Sequence, residues 1–417
     1  MKKLMNQRWF LVIVFMVLYK PTILSQMPVY STIDTLSNIF KVFVIAILFA
    51  WFFLFYQKVS YFMIALFFFE IWRIICTIYN GGNFSSLFLT LANAIALAVV
   101  VEMGLKTDPD ALLDSITLVL GTYVLAHLAT ILIFPEGMYE FNTYTENYLF
   151  GYRNNTIMLA LPAIVFSMVR SLRLYNKITI SAFVILAASI TAVIRAFSAT
   201  AVVGICLLSV FIILAIIKFM PKFLNIYTYI IVNVLYFFGV IIMRVQNAFA
   251  FLIVDVLGRD LTFTGRTFIW DKALDAFTKS PVFGVGEISN DASRDLIGAT
   301  HAHNYYLDLL YKNGIIGFLL FMIILIICGI SLYKHRNNGK IPFIVSGTLF
   351  TIMFMLQAEA YYTIYYCFSI LSLAVFIEYA LPPKDENGEF IYKKRLKRKK
   401  EHRETLVNSN KGNRYYG

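Results

Sequence analysis

The chain has 417 residues, 59% of them hydrophobic and only 14% charged, with a mean hydropathy of +0.73. Too little polar surface remains to coat a water-soluble core, which excludes an ordinary soluble domain. The formal net charge of +12 would suit nucleic acid, but Lys and Arg stand in short loops and in the tail YKKRLKRKKEHR (392–403) rather than on one basic face. The charge therefore reads as membrane topology and contact with anionic lipid, and no nucleic-acid partner is expected.

Apolar runs long enough to cross about 30 Å of hydrocarbon recur without the two-residue alternation of a membrane barrel, so the expected fold class is an all-α polytopic membrane protein. The opening MKKLMNQRWFLVIVFMVLYKP has the charged-then-apolar form of a signal peptide, but no small-x-small cleavage site follows, and it reads as an uncleaved first helix. Helices are expected at about 9–24, 39–56, 59–78, 84–103, 114–134, 155–171, 177–193, 200–218, 223–243, 315–333, 341–358 and 363–380, about twelve in all.

If the N-terminus is inside, then Lys58, Lys106, Arg170, Arg173, Lys177, Lys218, Lys222, Lys334, His335, Arg336, Lys340 and the tail all fall on the cytoplasmic side. Both termini are then cytoplasmic. The outer face receives 25–38, 80–83, 135–153, 194–199, 244–314 and 359–362. The longest of these precedes the tenth helix and is no simple linker. In DKALDAFTKSPVFGVG (271–286), Ala273, Leu274 and Phe277 recur at helical spacing before Ser-Pro and two glycines. Loops of this length that carry their own elements are commonly functional. Residues 1–381 thus read as one membrane domain and 382–417 as a basic, unstructured tail.

The spans hold few ionisable groups, namely Glu70, Arg73, Glu102, His127 and Glu378, most of them near predicted ends. A transporter or pump would keep such groups along its route. Polar residues gather instead at the outer face: Arg153, Arg195, Arg259, Arg266, Asp271, Arg294, His301, His303, Asn304, Asp308 and Glu359. Arginines at a membrane boundary suit a diphosphate, and a nearby histidine suits removal of a hydroxyl proton. Arg195 interrupts apolar sequence in TAVIRAFSATAVVG, where desolvation without an anion would be costly.

Plainer readings exist for each group. The outer arginines could be solvated charges or lipid anchors, and His301 and His303 could be loop histidines bonded to backbone. Asn304 could be a helix N-cap, and Asp308 could pair with Lys312 one helical turn away. Other motifs fail: Gly284-Val285-Gly286 lacks a dinucleotide-binding context, and DPD (108–110) is more simply a turn with an N-cap. Cys76, Cys206, Cys328 and Cys367 lie inside apolar runs without metal-ligand spacing, and the sequons at Asn83 and Asn154 are weak signals. Neither metal nor cofactor is expected.

The stretch TGRTFIWDKALDAFTKSPVFGVG (264–286), followed by HAHNYYLDLLYKNGIIGF (301–318), resembles the signature loop of the O-antigen ligase and polysaccharide polymerase superfamily. FGYRNNTIMLALP (150–162) and RAFSATAVVG (195–204) resemble two upstream helix starts of that superfamily, although Arg195 stands three residues before Ser198 rather than beside it. The resemblance runs from about 150 to 380. It implies a metal-independent membrane glycosyltransferase in the cytoplasmic membrane of a bacterium, moving glycan from undecaprenyl diphosphate to an acceptor hydroxyl. A polymerase of capsular or O-antigen repeat units is the first reading, and an O-antigen-type ligase or a flippase of lipid-linked oligosaccharide the alternatives. Carried onto this sequence, the resemblance implies His303 as base with His301 beside it, and Arg266, Arg195 and Arg153 as diphosphate ligands. Asn304, Gly265, Trp270, Gly286, Gly314 and Gly317 support the motif. The implied partners are the lipid-linked oligosaccharide, membrane lipid, and a flippase and chain-length regulator of the same pathway.

Overall fold

The computed structural model describes residues 7–56, 58–82, 85–141, 144–245 and 265–392. Arg259, the Asn83 sequon and the tail beyond 392 lie outside them. Fourteen α-helices of eight residues or more organise these residues: α1 Arg8–Leu18, α2 Ser31–Trp51, α3 Tyr61–Tyr79, α4 Ser85–Thr107, α5 Pro109–Ile133, α6 Thr156–Tyr175, α7 Ile180–Arg195, α8 Ala199–Ile216, α9 Ile226–Tyr236, α10 Arg266–Lys279, α11 Asn290–Ile297, α12 Tyr305–Lys334, α13 Lys340–Met355 and α14 Cys367–Val375. Among the described residues, eight helical segments are long and apolar enough to cross a membrane, and four shorter apolar helices stand where the remaining spans are expected. The chain is an all-α, multi-pass membrane protein.

The core is built around α6 and α4. In the most apolar stretch, 94% of Arg153–Tyr175 and 83% of Leu87–Thr107 are buried, against 33% for each of the first two spans, so α1 and α2 form the periphery. Lipid tails offer no hydrophobic gain for helix association, so close packing must supply it. Small residues allow this: a Cβ at Gly204 would stand 2.1 Å from Met355 Sδ and one at Gly347 2.1 Å from Phe211 Cγ, which brings α8 and α13 together. Cys76, Cys328 and Cys367 are buried packing residues, whereas Cys206 is exposed on α8.

Asp108 caps α5 by accepting the Ala111 N–H at 2.9 Å, with Pro109 at the first helical position, so the DPD stretch is a turn with an N-cap. The segment after α5 forms a small antiparallel sheet, β1 Tyr139–Phe141, β2 Tyr144–Tyr148 and β3 Gly151–Tyr152. Buried His127 ties this segment to the bundle: one ring nitrogen lies 3.1 Å from Thr156 Oγ1 and the other accepts the Phe150 N–H at 3.4 Å.

The long outer loop has its own core. Trp270, Ala273 and Ala276 of α10 pack with Ile297, Ala302, Leu307 and Tyr311, as the spacing in its sequence predicts. Its attachment depends on a break in α12. At Gly314 the backbone turns to φ 63°, a region other residues rarely occupy, and a Cβ there would meet Val282 O at 1.9 Å. The carbonyls released by the break are taken up by neighbours. Val285 and Gly286 donate to Tyr311 O and Lys312 O, each at 2.8 Å, and the Trp72 indole donates to Asn313 O at 2.8 Å. A helix interruption at the membrane boundary thereby becomes the seat of the loop.

Candidate active site

The start of α12 is fastened to the end of α13. Asn304 Oδ1 accepts the Leu307 N–H at 2.9 Å, its amide donates to Gln357 O at 2.8 Å, and Tyr305 N–H donates to Leu356 O at 2.8 Å. Asn304 is fully buried, so its role is to cap and fasten the helix. On the preceding turn, Ala302 is held from both sides: its N–H donates to Asp308 Oδ1 at 2.7 Å, and its carbonyl accepts the Trp270 indole N–H at 3.0 Å. Asp308 also lies 3.6 Å from Lys312, the i,i+4 pair that the sequence allows. With Ala302 fixed, His301 and His303 stand together, ring centroids 4.2 Å apart, and His303 adopts a left-handed φ of 49°. Such a conformation costs energy and is retained where surroundings enforce it.

The fastening places Glu359, 2% exposed, beneath both histidines. His303 Nδ1 lies 2.9 Å and His301 Nδ1 3.5 Å from Glu359 Oε1. The Asn154 amide donates to Oε2 at 3.1 Å, and Arg266 lies 3.6 Å from the same oxygen while its guanidinium also bonds Ala358 O. Burial alone would raise the Glu359 pKa, but hydrogen bonding from His303 and the charges of His303, His301 and Arg266 outweigh it and hold the carboxyl below its ordinary value. The ionised carboxylate only accepts, so His303 donates its Nδ1–H to it. His301 differs. Its Nδ1 accepts the His303 backbone N–H at 3.2 Å, which leaves the proton on Nε2. Burial, with the neighbouring charge of His303, pushes His301 down to about 4. His303 is thus oriented by a buried carboxylate, with His301 beside it.

His301, His303 and Glu359 each offer a ligand atom, all within 4.8 Å of one another. Two imidazoles and a carboxylate have the donor chemistry to hold a transition metal. The second Glu359 oxygen is already engaged by Asn154 and Arg266.

Of the candidate arginines, Arg266, the first residue of α10 after Gly265 (φ 81°), joins this group. Arg153 is one residue from Asn154, but its guanidinium bonds Glu146 at 2.8 Å and lies over the Tyr152 ring. Arg195 ends α7 exposed on the protein surface, beside the exposed apolar side chains of Ile194 and Phe197. No hydrogen bond or ion pair joins it to Glu359 or the histidines. Gly286 (φ 73°) lies against Cys76 and Thr77, and Gly317 lies against Asn313 and Trp72, so both serve the loop's seat.

Sequence reading missed the central place of Glu359 and of Asn154. It also missed a second group, in which Arg73 bonds Glu70 at 3.1 Å and Glu287 at 2.9 Å, while Lys312 lies 3.4 Å from Glu287. Despite burial, Lys312 and Arg73 hold the Glu287 carboxyl down to about 2.

A family model described as O-antigen ligase matches residues 182–322, a segment that includes Arg195, Arg266, His301 and His303. The chain is also similar to the exopolysaccharide production protein ExoQ of Rhizobium meliloti (strain 1021), 32% identical over 88 residues, which cover 18% of this chain and 20% of that relative. These matches bear out the resemblance to the O-antigen ligase and polysaccharide polymerase superfamily: the chain is a multi-pass helical membrane protein whose segment 182–322 is similar to the O-antigen ligase family.

Proposed function

We propose that the protein is a metal-independent glycosyltransferase that polymerises lipid-linked polysaccharide repeat units at the outer face of a bacterial cytoplasmic membrane. The donor is glycan on undecaprenyl diphosphate, and the acceptor is a sugar hydroxyl on a second carrier-linked unit. The observation that carries this reading is the meeting of Arg266, His303 and His301 on one buried carboxylate, Glu359, at one end of the helix bundle. The basic residues Arg8, Arg170 and Arg173 bond to α5 at the other end, which by the positive-inside rule is the cytoplasmic one.

In the proposed reaction the acceptor oxygen attacks the anomeric carbon while His303 Nε2 takes its proton, and Glu359 stabilises the imidazolium. The bond between that carbon and the phosphate oxygen breaks, and its electron pair leaves with undecaprenyl diphosphate. Arg266 stabilises the charge growing on that leaving group, an effect worth ~3 kcal/mol for one well-placed donor. Arg195 and Arg153, near the same face, are second contacts for the diphosphate. The folded outer loop excludes water and so favours transfer over hydrolysis.

The description of the matched family favours a second reading, a ligase that passes the finished glycan to a different acceptor. The test is turnover of undecaprenyl-diphosphate oligosaccharide in membranes carrying wild type, His303→Ala or Arg266→Ala. A polymerase gives a ladder on carrier lipid that both variants reduce to single units. Glycan moved to a non-carrier acceptor selects the ligase. Normal ladders from both variants would overturn the site, and repeat units left unflipped would select the flippase.

A further inference from the structure

Beside His301 lies a cavity of about 620 Å3, within the ~300–1,000 Å3 common for small-molecule sites. It is bounded by α3, the segment 287–292, the first turns of α12 and residues 360–368, and neither His303 nor Arg266 lines it. One wall is aromatic, with Tyr305, Tyr361, Tyr362, Tyr365 and Phe368. Rings of this kind match the apolar faces of sugar rings. The other wall carries Glu70, Arg73, Glu287, Asp308 and Lys312, already joined in the ion pairs described above. Its two cations face three carboxylates, so the wall carries a net negative charge, which makes the cavity a poor place for a diphosphate.

Five residues of these walls each hold a polar atom that is itself buried and has no hydrogen-bond partner among the described residues: Glu70 Oε1, Arg73 Nε, Tyr305 OH, Asn313 Nδ2 and Tyr361 OH. Buried polar groups are ordinarily satisfied. Aromatic rings beside a polar wall that carries one more carboxylate than cations fit a hydroxyl-rich ligand without negative charge. The cavity also meets the histidine pair from its own side. His301 approaches Glu359 Oε1, whereas Arg266 approaches Oε2.

We propose that this cavity binds the acceptor saccharide and presents its hydroxyl past His301 to His303, while the lipid diphosphate occupies the Arg266 side. The proposal rests on the transferase reading above. His301 lines the cavity and stands beside His303, with ring centroids 4.2 Å apart, so it lies between the bound sugar and His303.

The probe is the free oligosaccharide released by mild acid from the host's lipid-linked repeat units, which lacks the diphosphate and the lipid. Its binding to the detergent-purified full chain is measured for wild type, Tyr362→Ala, Tyr361→Phe and Arg266→Ala. Tyr362 is 62% exposed, and Tyr361→Phe removes one hydroxyl, so both variants are expected to fold. The expected result is saturable binding to wild type, about tenfold weaker in each tyrosine variant and unchanged in Arg266→Ala. No binding to wild type, equal binding in the tyrosine variants, or loss only in Arg266→Ala would overturn the proposal and leave the cavity to water or the donor. Turnover of the lipid-linked unit is followed in parallel. If turnover is normal and the tyrosine variants bind as wild type does, the cavity assignment alone falls. If the oligosaccharide binds through the cavity but no lipid-linked unit is consumed, the transferase reading falls, and the acceptor role with it.

Discussion

Both ends of the helix bundle carry charged side chains in ion pairs, but they use them differently. At the basic end, charges from neighbouring elements are matched locally. Asp114 takes Arg8 and Arg170, and Arg173 bonds Asp110 at 2.7 Å, the Tyr379 carbonyl at 3.0 Å and the Leu381 carbonyl. These bonds fasten helix ends to one another. At the other end a single buried carboxylate, Glu359, serves His303, His301, Asn154 and Arg266, which come from three distant parts of the chain. Residues of the adjacent cavity carry buried polar atoms without a hydrogen-bond partner among the described residues. Saturated pairs point to structure, whereas several donors around one acid beside unsatisfied groups point to a ligand.

The sharpest way to break this contrast is to neutralise one acid at each end. Glu359→Gln keeps the size of the side chain but removes the charge that orients His303, and glycan transfer is expected to fall ~100-fold, the order of a lost acid–base contribution. Asp114→Asn is expected to leave transfer per folded molecule within about twofold, as for a group that acts through stability alone. Equal losses would dissolve the distinction. Gly314→Ala tests the loop's seat. Its Cβ would meet Val282 O at 1.9 Å on a backbone of φ 63°, so a cost of ~1–3 kcal/mol and weaker protection of 281–286 from hydrogen exchange are expected.

Arg173→Ala is expected to lower stability by ~1.5–3 kcal/mol, measured by thermal unfolding in detergent, without changing transfer per folded molecule. The smallest effect is local and depends on pH. His301 is held at about 4 against an ordinary 6.5, so between those values the opened loop takes up a proton that the closed loop does not. The stabilisation is complete above 6.5 and is lost as pH falls toward 4. Glu287, held at about 2 against an ordinary 4.5, adds stabilisation that is complete above 4.5 and is lost as pH falls toward 2. Hydrogen exchange around residues 284–312 is therefore expected to quicken in acid before the bundle itself opens.

Much of the bundle was legible because lipid imposes a simple rule. A spanning segment must be apolar for its whole length and satisfy its backbone internally, so runs such as 315–333 announce themselves. The helix of the outer loop was legible from Ala273, Leu274 and Phe277. The histidine pair could be located because few polar motifs interrupt the chain. Glu359 could not be ranked above Asp271 or Arg294, because its role depends on α12 beginning against the end of α13. Asp271 turns out to bond Arg244, and Arg294 to bond Asp291. The Glu70–Arg73–Glu287–Lys312 group was hidden for the same reason: helix positions on α3 and α12 acquire a common partner only when residues 284–287 pack between them. The strands at 139–152 carried an aromatic-rich signal in YEFNTYTENY but were too short to stand out among spans.

The central claim is that Glu359 and His303 act as one unit. It is tested most directly by a double-mutant cycle on glycan transfer from the lipid-linked donor, comparing wild type, His303→Ala, Glu359→Gln and the double variant. The account predicts that the double variant loses little more than His303→Ala alone, because a carboxylate that orients a base has nothing left to orient once the base is gone. Losses that multiply would contradict it and would mean that the two residues contribute to transfer independently.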